Sequence, residues 1–134
     1  MDAELQGKPA DVSRTEERIV SQWREISADE QHELRERVDE IFRPLGFETS
    51  LVVIRRANSI ALYFICLTLS AVIGLRDQWR NGQLRDVVQS LFTFLCATIT
   101  VLVKRLTWPA TDYERCSEFF SFSLGKPFST ATPR

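Results

Sequence analysis

The sequence predicts an all-α integral membrane protein: a helical hairpin of two transmembrane helices, preceded by a short amphipathic helical region and followed by a short C-terminal helix. Three observations predict this fold class. Two apolar runs without a charge, at 59–75 and 87–103, are separated by a short polar loop. Basic residues and tryptophan flank both runs. Hydrophobic residues at helical spacing precede the first run, as in an amphipathic helix.

Charge is divided between two regions of the chain. The 134 residues are 44% hydrophobic and 26% charged, with a net charge of −1. Residues 1–43 carry seven basic and twelve acidic side chains, or −5, and residues 44–134 carry ten and six, or +4. The balance excludes a general nucleic-acid binder that relies on bulk positive charge. The near-zero total is therefore a cancellation between an acidic region and a basic one.

The acidic region is predicted to be helical. Residues 1–12 are expected to be a flexible N-terminus, and residues 13–46 to form two short helices, at about 14–26 and 28–43. Ser13 to Glu16 and Ser27 to Glu30 fit capping boxes, and Pro44 and Gly46 end the second helix. Two helices of this length make a marginal core, which predicts a partner on their apolar side. The predicted partner face consists of Ile19, Trp23, Ile26, Leu34, Val38 and Phe42.

Residues 50–108 are predicted to form the membrane hairpin, with spans at about 57–76 and 86–104 and a loop at 77–85. Each apolar run has roughly the 17 residues that represent the lower limit for crossing about 30 Å of hydrocarbon. The predicted interface anchors at the span ends are Arg55, Arg56, Trp79, Lys104, Arg105 and Trp108. Because the loop is short, both termini lie on one side, which the positive-inside rule makes cytoplasmic or equivalent. The alternative is two buried helices of a soluble bundle, which the missing polar stripe in the first run disfavours.

Small and polar residues recur within both runs and are predicted to pack helices in the membrane. They are Cys66, Ser70 and Gly74 in the first run, and Gln89, Thr93, Cys96, Ala97 and Thr100 in the second. Three interpretations remain open. The two spans pack against each other, or they dock against helices of a larger membrane complex, or an oligomer lines a pore with them.

No residue pattern indicates catalysis. His32 is the one histidine, and the three cysteines have no metal-site spacing. Neither a glycine-rich phosphate loop nor a nucleophile elbow occurs. We therefore predict a non-enzymatic protein without catalytic residues, cofactor, metal, nucleic-acid partner or small-molecule substrate. No disulfide framework is expected, and of the cysteines only Cys116 is expected to be accessible.

Residues 109–134 are predicted to form a short helix, opened by a capping box at Thr111 to Glu114, and a loose tail. The overall layout resembles that of holins, two-span effectors and small subunits of respiratory or translocation complexes. It implies an accessory subunit or adaptor of a membrane complex, whose partners are the lipid bilayer and other membrane-protein subunits or itself. The alternative is a homo-oligomeric pore-forming or membrane-perturbing protein.

Overall fold

The computed structural model describes residues 1–28, 32–97 and 99–125, and these residues form a mixed α/β fold. The strands are β1 (Asp2–Leu5), β2 (Thr49–Arg56), β3 (Ile60–Cys66) and β4 (Val103–Thr107). The helices are α1 (Pro9–Ala28), α2 (His32–Phe42), α3 (Leu69–Arg80), α4 (Gln83–Leu95) and α5 (Ala110–Gly125), and a 3-10 turn at Arg43–Leu45 precedes β2. The predicted all-α fold class is therefore wrong.

The strands form a single antiparallel sheet in the order β2-β3-β1-β4. The chain is built from two consecutive β-α-α-β halves, β1 to β2 and β3 to β4. The first strands of the two halves, β1 and β3, pair at the centre of the sheet, and each half's second strand pairs with the first strand of the other half. The two halves are thus interlocked through the sheet, which places β2 and β4 at its edges.

The first apolar run is a strand followed by a helix. Ile60–Cys66 is rich in β-branched and aromatic residues, which fit a pleated, half-buried surface, and it pairs with β2 along its length. Thr68 then adopts an extended conformation, and its hydroxyl accepts a hydrogen bond from the N–H of Ala71 at 3.1 Å. This N-cap starts α3 within the run that was predicted to be one span at 57–76.

The second run is also two elements. α4 ends at Leu95, its C-cap residue Cys96 has φ and ψ of −121° and 58°, and the chain returns to the sheet as β4 at Val103–Thr107. α3 and α4 contain 12 and 13 residues, which makes each about 18–20 Å long at 1.5 Å per residue. The span predicted at 86–104 is therefore wrong, because the helix ends well before the run does.

In the described ranges, no helix combines the length and the apolar character that crossing a membrane requires. The predicted two-span hairpin and the multi-pass placement, with both termini on the cytoplasmic side, are wrong for that reason. The predicted role as an accessory subunit of a membrane complex and the alternative of a homo-oligomeric pore both depend on the two spans, and they are overturned with them.

The helices cover one face of the sheet. Residues of one register, among them Leu5, Leu51, Ile54 and Leu62, point into a core that they share with α1 and α4. The opposite register points away from this core, and its side chains include Val53 at 37%, Tyr63 at 48% and Ile65 at 51% exposure. The sheet therefore has a buried face and an open one, as antiparallel sheets often do.

Two helices lie in the region that was expected to be helical, although α1 begins at Pro9, inside the segment expected to be flexible and before the predicted cap at Ser13. Ser27 donates a hydrogen bond back to the carbonyl of Trp23 at 2.7 Å. The rest of the predicted capping box at 27–30 and the predicted tail at 126–134 lie outside the described residues. The predicted C-terminal helix is present as α5.

Candidate functional site

The residues predicted to pack helices in the membrane lie in different elements. Cys66 ends β3, whereas Ser70 and Gly74 lie on α3, so the stripe of the first run is divided between a strand and a helix. In the second run, Cys96 is completely buried, and Thr93 on α4 is exposed. Ala97 and Thr100 are exposed and lie in the connection between α4 and β4.

Gln89 on α4 has a structural role that explains its polarity. Its Oε1 accepts a hydrogen bond from the N–H of Val103 at 2.6 Å, and its Nε2 donates to the carbonyl of Val101. Nε2 also lies 3.2 Å from the hydroxyl oxygen of Thr93. The amide thus pairs main-chain groups of two buried residues, Val101 just before β4 and Val103 at its first position.

The predicted interface anchors make contacts within the chain. Arg56 lies 3.2 Å from the nearly buried carboxylate of Glu16, and Lys104 lies 3.5 Å from the carboxylate of Glu4. The indole N–H of Trp79 donates to the carbonyl of Leu106 at 2.7 Å. The other anchors are Arg55 and Arg105, which are exposed on the sheet, and Trp108, which is half-buried beside Trp79.

The apolar face predicted for the acidic helices packs inside the chain. Its buried members are Ile19, Trp23, Ile26 and Val38, and its partly buried members are Leu34 and Phe42. All six belong to the core or pack against it. The surface that these two helices need to cover is therefore provided by the sheet and by α4 of the same chain.

The two outer edges of the sheet are protected against pairing with another strand. In β2 the register shifts between Leu51 and Val53, and the indole of Trp23 donates to the carbonyl of Val52 at 3.3 Å. β4 contains only five residues and exposes Lys104. Bulges, covering side chains, short strands and lysine are the usual protections of sheet edges.

The C-terminal half of β3 forms a third edge. β1 pairs with β3 only as far as Asp2 opposite Ala61, and the N–H of Leu62 then donates to the carbonyl of Met1 at 2.7 Å. Main-chain groups alternate sides along a strand, so those of Phe64 and Cys66 point the same way as those of Leu62. On that side of residues 63–66, no strand of the described chain is paired.

This edge faces a groove of about 550 Å³ between β3 and α5. Val72 and Leu75 of α3 contribute to its lining, Trp108 lies beside it, and Phe119 and Phe120 project from α5. β1 and β4 both stop before residues 63–66 of β3, because Asp2 pairs with Ala61 on one side and with Thr107 on the other. The groove therefore combines unpaired main-chain groups with an apolar lining.

Aromatic contacts hold the beginning of α5 in place. The rings of Trp79 and Trp108 have centroids 6.1 Å apart, and those of Trp108 and Tyr113 are 5.5 Å apart. The guanidinium of Arg76 lies 4.4 Å from the centroid of the Tyr113 ring, within the range of a cation–π interaction. These contacts anchor the first turn of α5, and the following turns form the wall of the groove.

The polar lining of the groove is sparse. Asp112 and Arg115 lie on α5, and Cys66 and Cys116 lie on β3 and α5. Burial raises the pKa of the Cys66 thiol. Within the described ranges, no three side chains of histidine, cysteine or acidic residues are grouped as metal ligands. The expectations of no enzyme activity, cofactor or metal stay predictions.

No family model, curated protein or solved structure matches this chain. The sequence does contain a signal for β3 that the predicted span obscured. Residues 49–56 are rich in β-branched residues, residues 60–66 are rich in β-branched and aromatic residues, and the short segment Ala57 to Ser59 separates them. That pattern is typical of a β-hairpin.

Proposed function

We propose that this protein is a polypeptide-binding module that takes up an extended segment of a partner protein as an additional strand between β3 and α5. The observation that carries the proposal is the unpaired edge of β3 at residues 63–66, which faces the apolar groove. Unpaired backbone groups at a sheet edge are a template for another strand.

The inserted segment would run in line with β1 and antiparallel to β3. It would accept a hydrogen bond from the N–H of Cys66 and exchange hydrogen bonds with the N–H and carbonyl of Phe64. About three such bonds, each contributing about 1 kcal/mol, would stabilise the complex, together with the burial of alternate apolar side chains against α3 and α5.

The contrast between the three sheet edges supports the proposal. β2 and β4 carry features that prevent pairing, whereas residues 63–66 carry neither a charge nor a proline. Tyr63 and Ile65, on the open face, are about half exposed. A strand added beside them would extend the apolar part of that face.

A synthetic peptide tests the proposal. The probe is a fluorescent peptide with the sequence acetyl-Lys-Val-Thr-Val-Thr-Val-Lys-amide, and its binding is followed by fluorescence anisotropy. Two versions carry N-methyl groups on alternate residues, one set for each side of the extended peptide. Because only one side faces β3, we expect one version to lose binding and the other to keep it. Absence of binding, or equal binding of both methylated peptides, would refute main-chain pairing.

A matched pair of variants locates the binding site. Phe119 on the groove wall is 62% exposed, and Phe47, away from the groove, is fully exposed. We expect Phe119→Ser to weaken peptide binding about tenfold, or 1.4 kcal/mol, and Phe47→Ser to change it less than about twofold. Binding should also slow hydrogen exchange at the amide of Phe64. Equal effects of the two substitutions would place the peptide elsewhere.

The proposed partner is a polypeptide, and the proposal includes no chemical step. That the chain binds neither nucleic acid nor a small-molecule substrate stays a prediction.

A further inference from the structure

Two cysteines line the groove from opposite walls. Cys66 is the last residue of β3 and is half-buried, and Cys116 lies on α5 and is exposed. The third cysteine, Cys96, is completely buried and is not among the residues that line the groove. The chain therefore provides one pair of thiols across the groove and one buried thiol for comparison.

The two thiols differ in chemical character. The pKa of Cys66 is raised, mainly because burial desolvates the thiol. The hydroxyl of Thr49 donates a hydrogen bond to the Cys66 sulfur at 3.9 Å and lowers this pKa, whereas Cys116 raises it. Both sulfur-bearing side chains line the same groove, Cys66 from β3 and Cys116 from α5. Because disulfide exchange requires access to the attacking sulfur, the exposed Cys116 is suited to react first with an oxidant, and the half-buried Cys66 to complete the bond.

We infer that Cys66 and Cys116 form a reversible disulfide that ties α5 to β3 and closes the groove to an incoming strand, an inference that rests on the proposed function. The oxidant is a low-molecular-weight disulfide such as oxidised glutathione. The thiolate of Cys116 attacks one of its sulfurs, forms a mixed disulfide and releases one glutathione thiolate. The thiolate of Cys66 then attacks the Cys116 sulfur and releases the second. Two protein thiols and one glutathione disulfide thus become one protein disulfide and two glutathione thiols.

The geometry makes the disulfide and the bound strand mutually exclusive. A disulfide requires Cα atoms within about 7 Å of each other. A strand inserted between β3 and α5 adds about 4.8 Å on each side and separates the elements by roughly 10 Å. Oxidation is therefore expected to prevent binding, and a bound peptide is expected to slow the formation of the disulfide.

The test compares peptide binding to the reduced protein and to the protein equilibrated with oxidised glutathione, with the cross-link mapped by digestion and mass spectrometry. We expect a Cys66–Cys116 cross-link, binding weakened at least about tenfold, and full recovery with dithiothreitol. Cys96→Ser should behave like the original protein. Cys116→Ser should bind the peptide under both conditions.

The outcomes separate the two proposals. If the reduced protein does not bind the peptide, the proposed function fails, and closure of the groove to a strand fails with it. If the reduced protein binds but no Cys66–Cys116 cross-link forms, or if the cross-linked protein binds equally well, only the disulfide inference is overturned.

Discussion

Replacing Gln89 with leucine is expected to lower the free energy of unfolding by about 2 kcal/mol. The substitution removes the acceptor of the Val103 N–H, at 2.6 Å, and the donor to the carbonyl of Val101. Val101 and Val103 are 4% and 6% exposed, so water has little access to the groups left without partners. An unsatisfied buried group costs about 1–3 kcal/mol. We assign about 1 kcal/mol to the Val103 N–H and about 1 kcal/mol to the Val101 carbonyl, because Gln89 itself is only half-buried.

The assay is urea denaturation followed by far-UV circular dichroism. Gln83→Leu is the matched control, because Gln83 is exposed in the first turn of the same helix, and its effect should stay within about 0.5 kcal/mol. Gln89→Glu keeps the acceptor and loses the donor, so we expect an intermediate loss.

A change of less than about 0.5 kcal/mol in the free energy of unfolding of Gln89→Leu would contradict the role assigned to the Gln89 amide. The result also discriminates between the folds. In a membrane span, Gln89→Leu would remove a polar group from hydrocarbon and would not destabilise an isolated helix. In the mixed α/β fold, the same change removes the side-chain amide that hydrogen-bonds the Val101 carbonyl and the Val103 N–H.

Three further predictions follow from single contacts. Trp79→Phe removes the indole donor to a β4 carbonyl at 2.7 Å, which should cost about 1 kcal/mol in thermal denaturation; an unchanged midpoint would contradict this. Arg56→Met leaves the carboxylate of Glu16, which is 9% exposed, without its partner at 3.2 Å. A double-mutant cycle with Glu16→Gln should give a coupling energy of about 0.5–1 kcal/mol, a value kept low because the arginine side chain is 39% exposed. A coupling energy of zero would count against the ion pair. Burial raises the pKa of Cys66 and Cys96 above the ordinary value of 9.0, so the unfolded chain releases these protons first and the free energy of unfolding should fall as pH rises above about 9. The double substitution of both by alanine should flatten that decline in pH-dependent urea titrations, and an unaltered slope would argue against the raised values.

The acidic N-terminal helices were predictable because their signal is local. Apolar residues at helical spacing, with Pro44 and Gly46 as end signals, describe α1 and α2 within a few residues. The same spacing predicted an apolar face for a partner, and in the structure these residues pack inside the chain. What covers it was not predictable, since the sheet that packs on it is assembled from strands far apart in the sequence.

The candidate groove could not be predicted because it is made of residues that meet only in the folded chain. Cys66 and Cys116 are separated by 50 positions, and both line the groove. The unpaired edge depends on where β1 stops opposite Ala61. A register between distant strands is set by packing on the buried face, and local propensity does not specify it.

The sequence by itself determined which segments are apolar, where charge is concentrated and which stretches favour helix. Whether an apolar run of 17 residues is one membrane helix or a strand joined to a helix was decided by tertiary structure. Residues 60–66 become β3 because β2 and β1 offer their backbone groups partners, and Thr68 stops the strand by capping α3. Hydrophobicity requires only that such a run leave water, and both a bilayer and a protein core meet that requirement. The hairpin with β2, together with the pairing to the sequence-distant β1 that no local window contains, selects the core.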